Sequence, residues 1–269
     1  MLGSGSRGNA TLVGANESWI LVDAGFSGRQ IEARLSTLGV DMAQIDAVVI
    51  THEHGDHTRG MGVLARRHDL PLYMTAGTQQ QCAKLLTGAE TIRPYRPGRP
   101  FRIGTLRFEP FLTVHDAVDP VAVTVVGEEC GTRIGVATDL GRPTAQIRHS
   151  LAHCDFLILE ANHDERLLQE SSYPASVKGR IGSSHGHLSN RAAARFALEL
   201  LHPRLSGILL AHLSERCNRP ELARDVLESV LGPAGYRGFL GVALQDEPTP
   251  LLDIGELRLR TGPEQLTLL

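Results

Sequence analysis

Neither sign of charge dominates this 269-residue chain: 27 Lys and Arg stand against 30 Asp and Glu, a formal net of −3. That balance excludes a global basic field that would draw a whole domain onto nucleic acid or a membrane, so any phosphate recognition has to be local. Long apolar runs are also missing. No stretch of about 18 apolar residues occurs, and the opening MLGSGSRGNA has no apolar core of a secretory leader. The four cysteines, Cys82, Cys130, Cys154 and Cys217, lie far apart and form no CxxC pair. Scattered thiols without a leader fit a reducing compartment, so the expectation is a soluble cytoplasmic protein that does not enter a membrane. No repeat at a fixed period and no linker divides the chain, which predicts a single domain over 1–269.

Short apolar runs with strand character come early, at 10–15, 18–24, 46–51 and 71–76. Between them, GRQIEARLSTLGV carries Ile31, Leu35 and Leu38 at helical spacing, with Gly39 as its C-terminal stop. GMGVLARRHDLP reads as a second helix, ended before Pro71. The middle is strand-rich, at 106–114, 121–129, 132–139 and 156–161. Then follow a helix at 190–201, a strand at 206–212, a helix around 220–231 and a tail, GFLGVAL to QLTLL, that reads as short edge strands. This order predicts an α/β (α+β) fold of two sheets faced by helices, not an all-β sandwich.

Histidine is concentrated in one place. In THEHGDHTRG, residues 51–60, His52, Glu53, His54, Asp56 and His57 crowd together directly after the apolar IDAVVI. His52 and His54 are two apart and share one side of an extended backbone. Asp56 and His57 follow a glycine that lets the chain turn, so four metal-ligating side chains converge where a strand ends. Neutral imidazoles with a carboxylate suit zinc, manganese or iron. A structural zinc would more typically use cysteines, and none is near.

HEHGDH resembles the H-x-H-x-D-H motif of the metallo-β-lactamase fold, and LVDAG (21–25) resembles that superfamily's second-strand motif. LGSGSRGN, VHDAVDP, ATDLG, EANHD and GHLSN are most similar to its YycJ/WalJ-type branch, itself related to the nuclease-like phosphodiesterases around ribonuclease Z. The resemblance runs from residue 2 to about 240. It implies a four-layer αββα sandwich. It also implies two divalent ions, zinc first with manganese or iron(II) as alternatives: His52, His54 and His115 on one, Asp56, His57 and His212 on the other, and Asp139 bridging. Two such ions can clamp attacking and leaving oxygens at a separation of roughly 3.5–4 Å and lower the pKa of a shared water from about 15.7 towards 7. Asp56 would orient or deprotonate that water.

The same resemblance makes His187, in SSHGHLSN, the general acid for the leaving oxygen. Ser189 caps the helix that starts at Asn190, and a helix N-terminus is a natural anion site, so Ser189 is a candidate substrate contact. Asp23 reads as a carboxylate bracing a ligand or a loop, and His163, after a strand end, as a structural residue with pocket lining as the alternative. His149 and His153, four apart, are placed on one helical face, and His68 and His202 at helix ends. Arg93, Arg96, Arg99 and Arg102 recur every third residue between prolines. In polyproline II they would line one face about 9 Å apart, a basic stripe for a nucleic-acid backbone, with a solvated connector as the alternative reading. The resulting expectation is a metal-dependent phosphodiesterase or nuclease, exonuclease-like, acting on DNA or RNA. The alternatives are a hydrolase of esters, lactones or thioesters, a cyclic-nucleotide phosphodiesterase, or a non-enzymatic metal-binding module. Homo-oligomerisation is left open.

Overall fold

The computed structural model describes residues 1–261. Its first sheet has five strands in sequence order: β1 (Thr11–Ala15), β2 (Ser18–Val22), β3 (Ile45–Val49), β4 (Leu72–Met74) and β5 (Ile92–Pro94). The second begins with an antiparallel meander, β6 (Phe101–Ile103), β7 (Leu106–Leu112), β8 (Val121–Gly127) and β9 (Arg133–Ala137). It continues in parallel through β10 (Phe156–Glu160), β11 (Gly207–Ala211) and the edge strand β12 (Phe239–Val242). The helices are α1 (Gly28–Thr37), α2 (Gly55–Thr58), α3 (Met61–His68), α4 (Ala76–Gln81), α5 (Ala145–Leu151), α6 (Glu165–Glu170), α7 (Ala175–Ile181), α8 (Asn190–Glu199), α9 (Pro220–Leu231) and α10 (Ile254–Thr261).

Period-2 alternation sorts the strand residues into layers. Ile20 and Val22 of β2, Ala47 and Val49 of β3, Ile158 of β10 and Leu209 of β11 meet between the sheets. Their neighbours Leu21 and Val48 face α1 and α3 through Ile31, Leu35, Met61 and Leu64. On the far side, Leu157, Leu159, Ile208 and Leu210 face α5, α8 and α9 through Leu151, Phe196 and Leu227. Strands covered on both faces have to be apolar throughout, which is why IDAVVI and GILLA read as continuous runs. The layers are helix, sheet, sheet, helix, as expected.

Local chemistry sets the ends of the helices. Ser27 and Gln30 form a capping box at the start of α1. At its other end Gly39 has φ 73°, and the N–H groups of Gly39 and Val40 return to Ser36 O and Leu35 O, closing a Schellman motif. Among the described residues no helix is long and apolar enough to cross a membrane.

Three expectations need correction. Residues 254–261 are helical, not an edge strand. Leu259 is 86% exposed while Ile254 and Leu257, three apart, pack onto the inter-sheet core. The expected strand at 265–269 lies outside the described residues. The arginine stripe is not a polyproline rod: Arg93 lies on β5, Arg102 on β6 of the other sheet, and a turn at Gly98 (φ 74°) intervenes. Finally, His149 and His153 do not share a helical face. α5 ends at Leu151 and His153 turns into the left-handed region at φ 64°.

Candidate metal centre

Strands β2, β3, β7, β9, β10 and β11 all run in one direction, so their C-terminal ends meet along one edge of the sandwich. The residues just past those ends are Asp23, His52, His115, Asp139 and His212, with Glu160 as the last residue of β10. Three of them leave their strands in the left-handed region: Asp23 at φ 65°, Asp139 at 58° and His212 at 58°. That conformation is sparsely populated for a residue with a Cβ and turns the chain sharply at the strand end. From α2, Asp56 and His57 approach the same edge.

The structure brings all seven expected ligand side chains together. Ligating atoms of His52, His54 and His115 lie within 4.8 Å of one another, as do those of Asp56, His57 and His212 and those of His52, His57 and Asp139. The contacts are close: His54 Nδ1 is 3.3 Å from His115 Nε2, His57 Nε2 3.2 Å from Asp139 Oδ2, and His212 Nε2 3.3 Å from Asp56 Oδ2.

The opposite edges of the rings are tied back. His52 Nδ1 is 3.0 Å from Thr51 Oγ1, whose own proton goes to Asp23. His57 Nδ1 donates to Asp23 Oδ2 at 2.7 Å, His115 Nδ1 to Gly186 O at 3.2 Å, and His212 Nδ1 to Glu160 Oε1 at 3.0 Å. Anchoring one nitrogen fixes each tautomer and points the other at the centre, the arrangement typical of metal-binding histidines. Asp23 therefore stands where a bracing carboxylate was expected.

The donor set tests well against divalent ions. His52 Nε2 is buried and has no hydrogen-bond partner, although buried polar atoms are normally satisfied, and Asp139 Oδ2, equally buried, has the His57 ring 3.2 Å away. Burial alone would lower the pKa of both His57 and His212. Instead Asp23, Asp139 and Asp56 hold His57 well above its ordinary value, and Asp139, Asp56 and Glu160 lift His212 to about 10. Burial and His57 push His52 well down. Asp56 is pulled below the usual carboxylate range by His57 and His212 despite its burial. In the metal-free chain, protons do the charge neutralisation that cations would otherwise do.

Glu160 and Asn9 are site residues that the sequence reading overlooked. Glu160 is fully buried and accepts from the backbone N–H of Asp139, Leu140 and Leu188 as well as from His187 and His212. It ends an apolar run, FLIL, the same signal that marked His115, Asp139 and His212. Asn9 Nδ2 lies 3.2 Å from both Asp56 Oδ2 and His57 Nε2. The rest of the SGSRGN loop spends its groups internally, through Ser4 Oγ and Gly5 N to Asn9 Oδ1, as a tight turn does.

His187 sits beside the cluster, one-fifth exposed, its Nδ1 donating to Glu160 Oε1 at 2.8 Å. Ser189 caps α8 by accepting from Ala192 N and donates to Glu165. His163 is buried in the wall of a recess next to His187. His68 bonds Glu32 at the end of α3, His202 bonds Cys154 O, and His185 is exposed.

The β-lactamase superfamily domain matches residues 18–208. The chain belongs to the β-lactamase superfamily. Within it, exodeoxyribonuclease YycJ of Bacillus anthracis is 33% identical over 238 residues, spanning 88% of this chain and 89% of that protein. Exodeoxyribonuclease WalJ of Streptococcus pneumoniae serotype 2 is 33% identical over 266 residues, 94% of this chain and 97% of its own length. The metallo-β-lactamase fold protein YhfI of Bacillus subtilis superposes with a TM-score of 0.68 at 20% identity, over 91% of this chain and 95% of that one. That superposition is a likeness of fold.

Proposed function

We propose that this chain is a dinuclear metal-dependent nuclease that removes nucleotides from the ends of DNA strands. The observation that carries the reading is the pair of three-donor groups, His52/His54/His115 and Asp56/His57/His212, meeting around Asp139. The two full-length relatives named exodeoxyribonucleases support DNA as the substrate. Each three-donor group would hold one divalent ion, with Asp139 shared. Zinc comes first on this imidazole-rich donor set, with manganese and iron(II) as compatible occupants. When bound, such ions supply Lewis acidity towards phosphoryl oxygen and a water acidic enough to give a nucleophile near neutral pH.

The chain's own groups do the rest. Asp56 accepts the proton of the attacking water and aims its lone pair at phosphorus. His187 delivers a proton to the departing alkoxide from Nε2, while Nδ1 stays on Glu160. Glu160, buried and ionised, fixes the ring's orientation through Nδ1. Four unpaired cysteines support a reducing, cytoplasmic setting. The inter-sheet core shared by both sheets supports the chain as one domain.

The test is a substrate panel for the metal-loaded protein: 5′-phosphorylated DNA, RNA, bis-p-nitrophenyl phosphate and a set of lactones. Cleavage of DNA from its ends is expected. Lactone turnover with every phosphodiester left intact would overturn the assignment.

A further inference from the structure

Beside His187 the surface folds into a recess of about 350 Å³, within the size range of small-ligand sites. It lies outside the seven-residue cluster. Leu168, Leu188 and Ala192 give it apolar walls. Glu165 and Gln169, four apart on α6 and so on one face, bring polar groups to its rim. His163, 3% exposed, closes one side with a buried Nδ1 that has no hydrogen-bond partner.

The lining decides between two kinds of occupant. No lysine or arginine lines the recess among the described residues, and Glu165 puts a carboxylate at its edge. The hydroxyls of Ser183 and Ser189 have already donated, to Arg180 O and to Glu165. Arg191 lies 3.7 Å from Glu165 and offsets its charge, so away from His187 the recess is close to neutral and suits an uncharged ring better than a phosphate. A flat neutral ring finds Leu168, Leu188 and Ala192 beside its plane, the His163 ring as a wall and Gln169 for its hydrogen-bonding edge.

We propose that this recess seats the terminal nucleobase of the strand being cleaved, on the nucleotide whose oxygen takes the proton from His187. The proposal rests on the nuclease reading above and adds what that reading lacks, a grip on the end of the strand. The recess accepts the base by shape and by its edge, with no fixed donor pattern that would select one base over another. It therefore predicts dependence on the presence of a terminal base with tolerance of its identity.

The experiment measures binding without turnover. The metal-loaded full chain is titrated with a single-stranded oligonucleotide whose terminal linkage is an uncleavable methylphosphonate. The terminal nucleotide is intact, abasic, or carries fluorescent 2-aminopurine. Loss of the terminal base should weaken binding about 30-fold, the order of a few hydrogen bonds plus an apolar contact. Terminal 2-aminopurine should change its emission more than the same base placed internally. His163→Ala should bring the intact-to-abasic ratio towards one. So should Gln169→Ala, whose exposed position leaves folding intact. Intact and abasic ends binding within twofold of each other, or a ratio unchanged in both variants, would overturn the proposal. Cleavage of the unmodified oligonucleotide is scored separately. Base-dependent binding without cleavage would retire the nuclease reading alone, and cleavage without base dependence would retire the recess alone.

Discussion

Replacing Glu160 with glutamine tests how far one buried carboxylate organises the site. The carboxylate takes five donors. Oε1 accepts from Asp139 N, His187 Nδ1 and His212 Nδ1, at 3.1, 2.8 and 3.0 Å, while Oε2 accepts from Leu140 N and Leu188 N at 3.0 and 2.9 Å. Burial resists its ionisation, yet His187 and His212 hold its pKa at about 2, so at neutral pH it is charged. Glutamine offers one acceptor oxygen. With that oxygen in the Oε1 place, its NH2 meets two backbone N–H groups; turned the other way, it meets Asp139 N–H and two rings.

Each buried donor left unpaired costs about 1–3 kcal/mol, so two cost about 2–6 kcal/mol. His212 also loses the partner that orients it, which for metal-binding histidines typically costs about 10–100-fold in metal affinity or activity. Urea unfolding of the chelator-treated protein reads the first effect, and metal content after dialysis reads the second. A Glu160→Gln protein within about 0.5 kcal/mol of the parent and fully metallated would refute the reasoning.

Asp23→Asn keeps the shape but exchanges the carboxylate on His57 Nδ1 for an amide. It is expected to lower retention of the ion at Asp56, His57 and His212 about 10–100-fold, read by elemental analysis, with a smaller loss at His52, which Asp23 braces only through Thr51. Gly25→Ala would place a Cβ 1.7 Å from Asp56 O, displacing the segment that carries two ligands. A loss of about 3 kcal/mol or more is expected, and an unchanged unfolding midpoint would contradict it. Metal uptake at pH 7.5 should release about two protons, from His57 and His212, seen as buffer-dependent heats in titration calorimetry; equal heats in all buffers would exclude this. His212 carries a folded pKa of about 10 against an ordinary 6.5, so its contribution to the metal-free chain is complete below pH 6.5 and is lost as pH rises towards 10. The unfolding midpoint of the chelated protein should fall over that window, while the metal-loaded form changes less.

The sandwich was legible because double-sided burial makes its strands apolar throughout, and His115, Asp139 and His212 were legible through the resemblance to the metallo-β-lactamase fold, each closing such a run. Glu160 obeys the same rule, but a lone acid after FLIL has no metal-ligand spacing to draw attention, and its importance depends on five donors that only the fold assembles. Asn9 was hidden for the same reason, lying 47 residues from Asp56 in sequence. The misread segments share one cause. At the tail and at the arginine triplet period, tertiary packing overrode the local reading. For α10 that packing is Ile254 and Leu257 against the inter-sheet core. For the arginines it is the handover of the chain from β5 to β6.

The left-handed backbone at Asp23, Asp139 and His212 has an evolutionary corollary. Such positions cost about 1–3 kcal/mol apiece for side chains that disfavour the conformation, and glycine would relieve that cost. The ion pairs of His212 oppose that relief near neutral pH even without metal. A variant library screened only for heat resistance in chelator should therefore admit glycine at 212 only towards pH 10, where that contribution is lost. The same screen run with metal and selection for turnover should hold all three residues in place, separating what the scaffold prefers from what the chemistry demands of it.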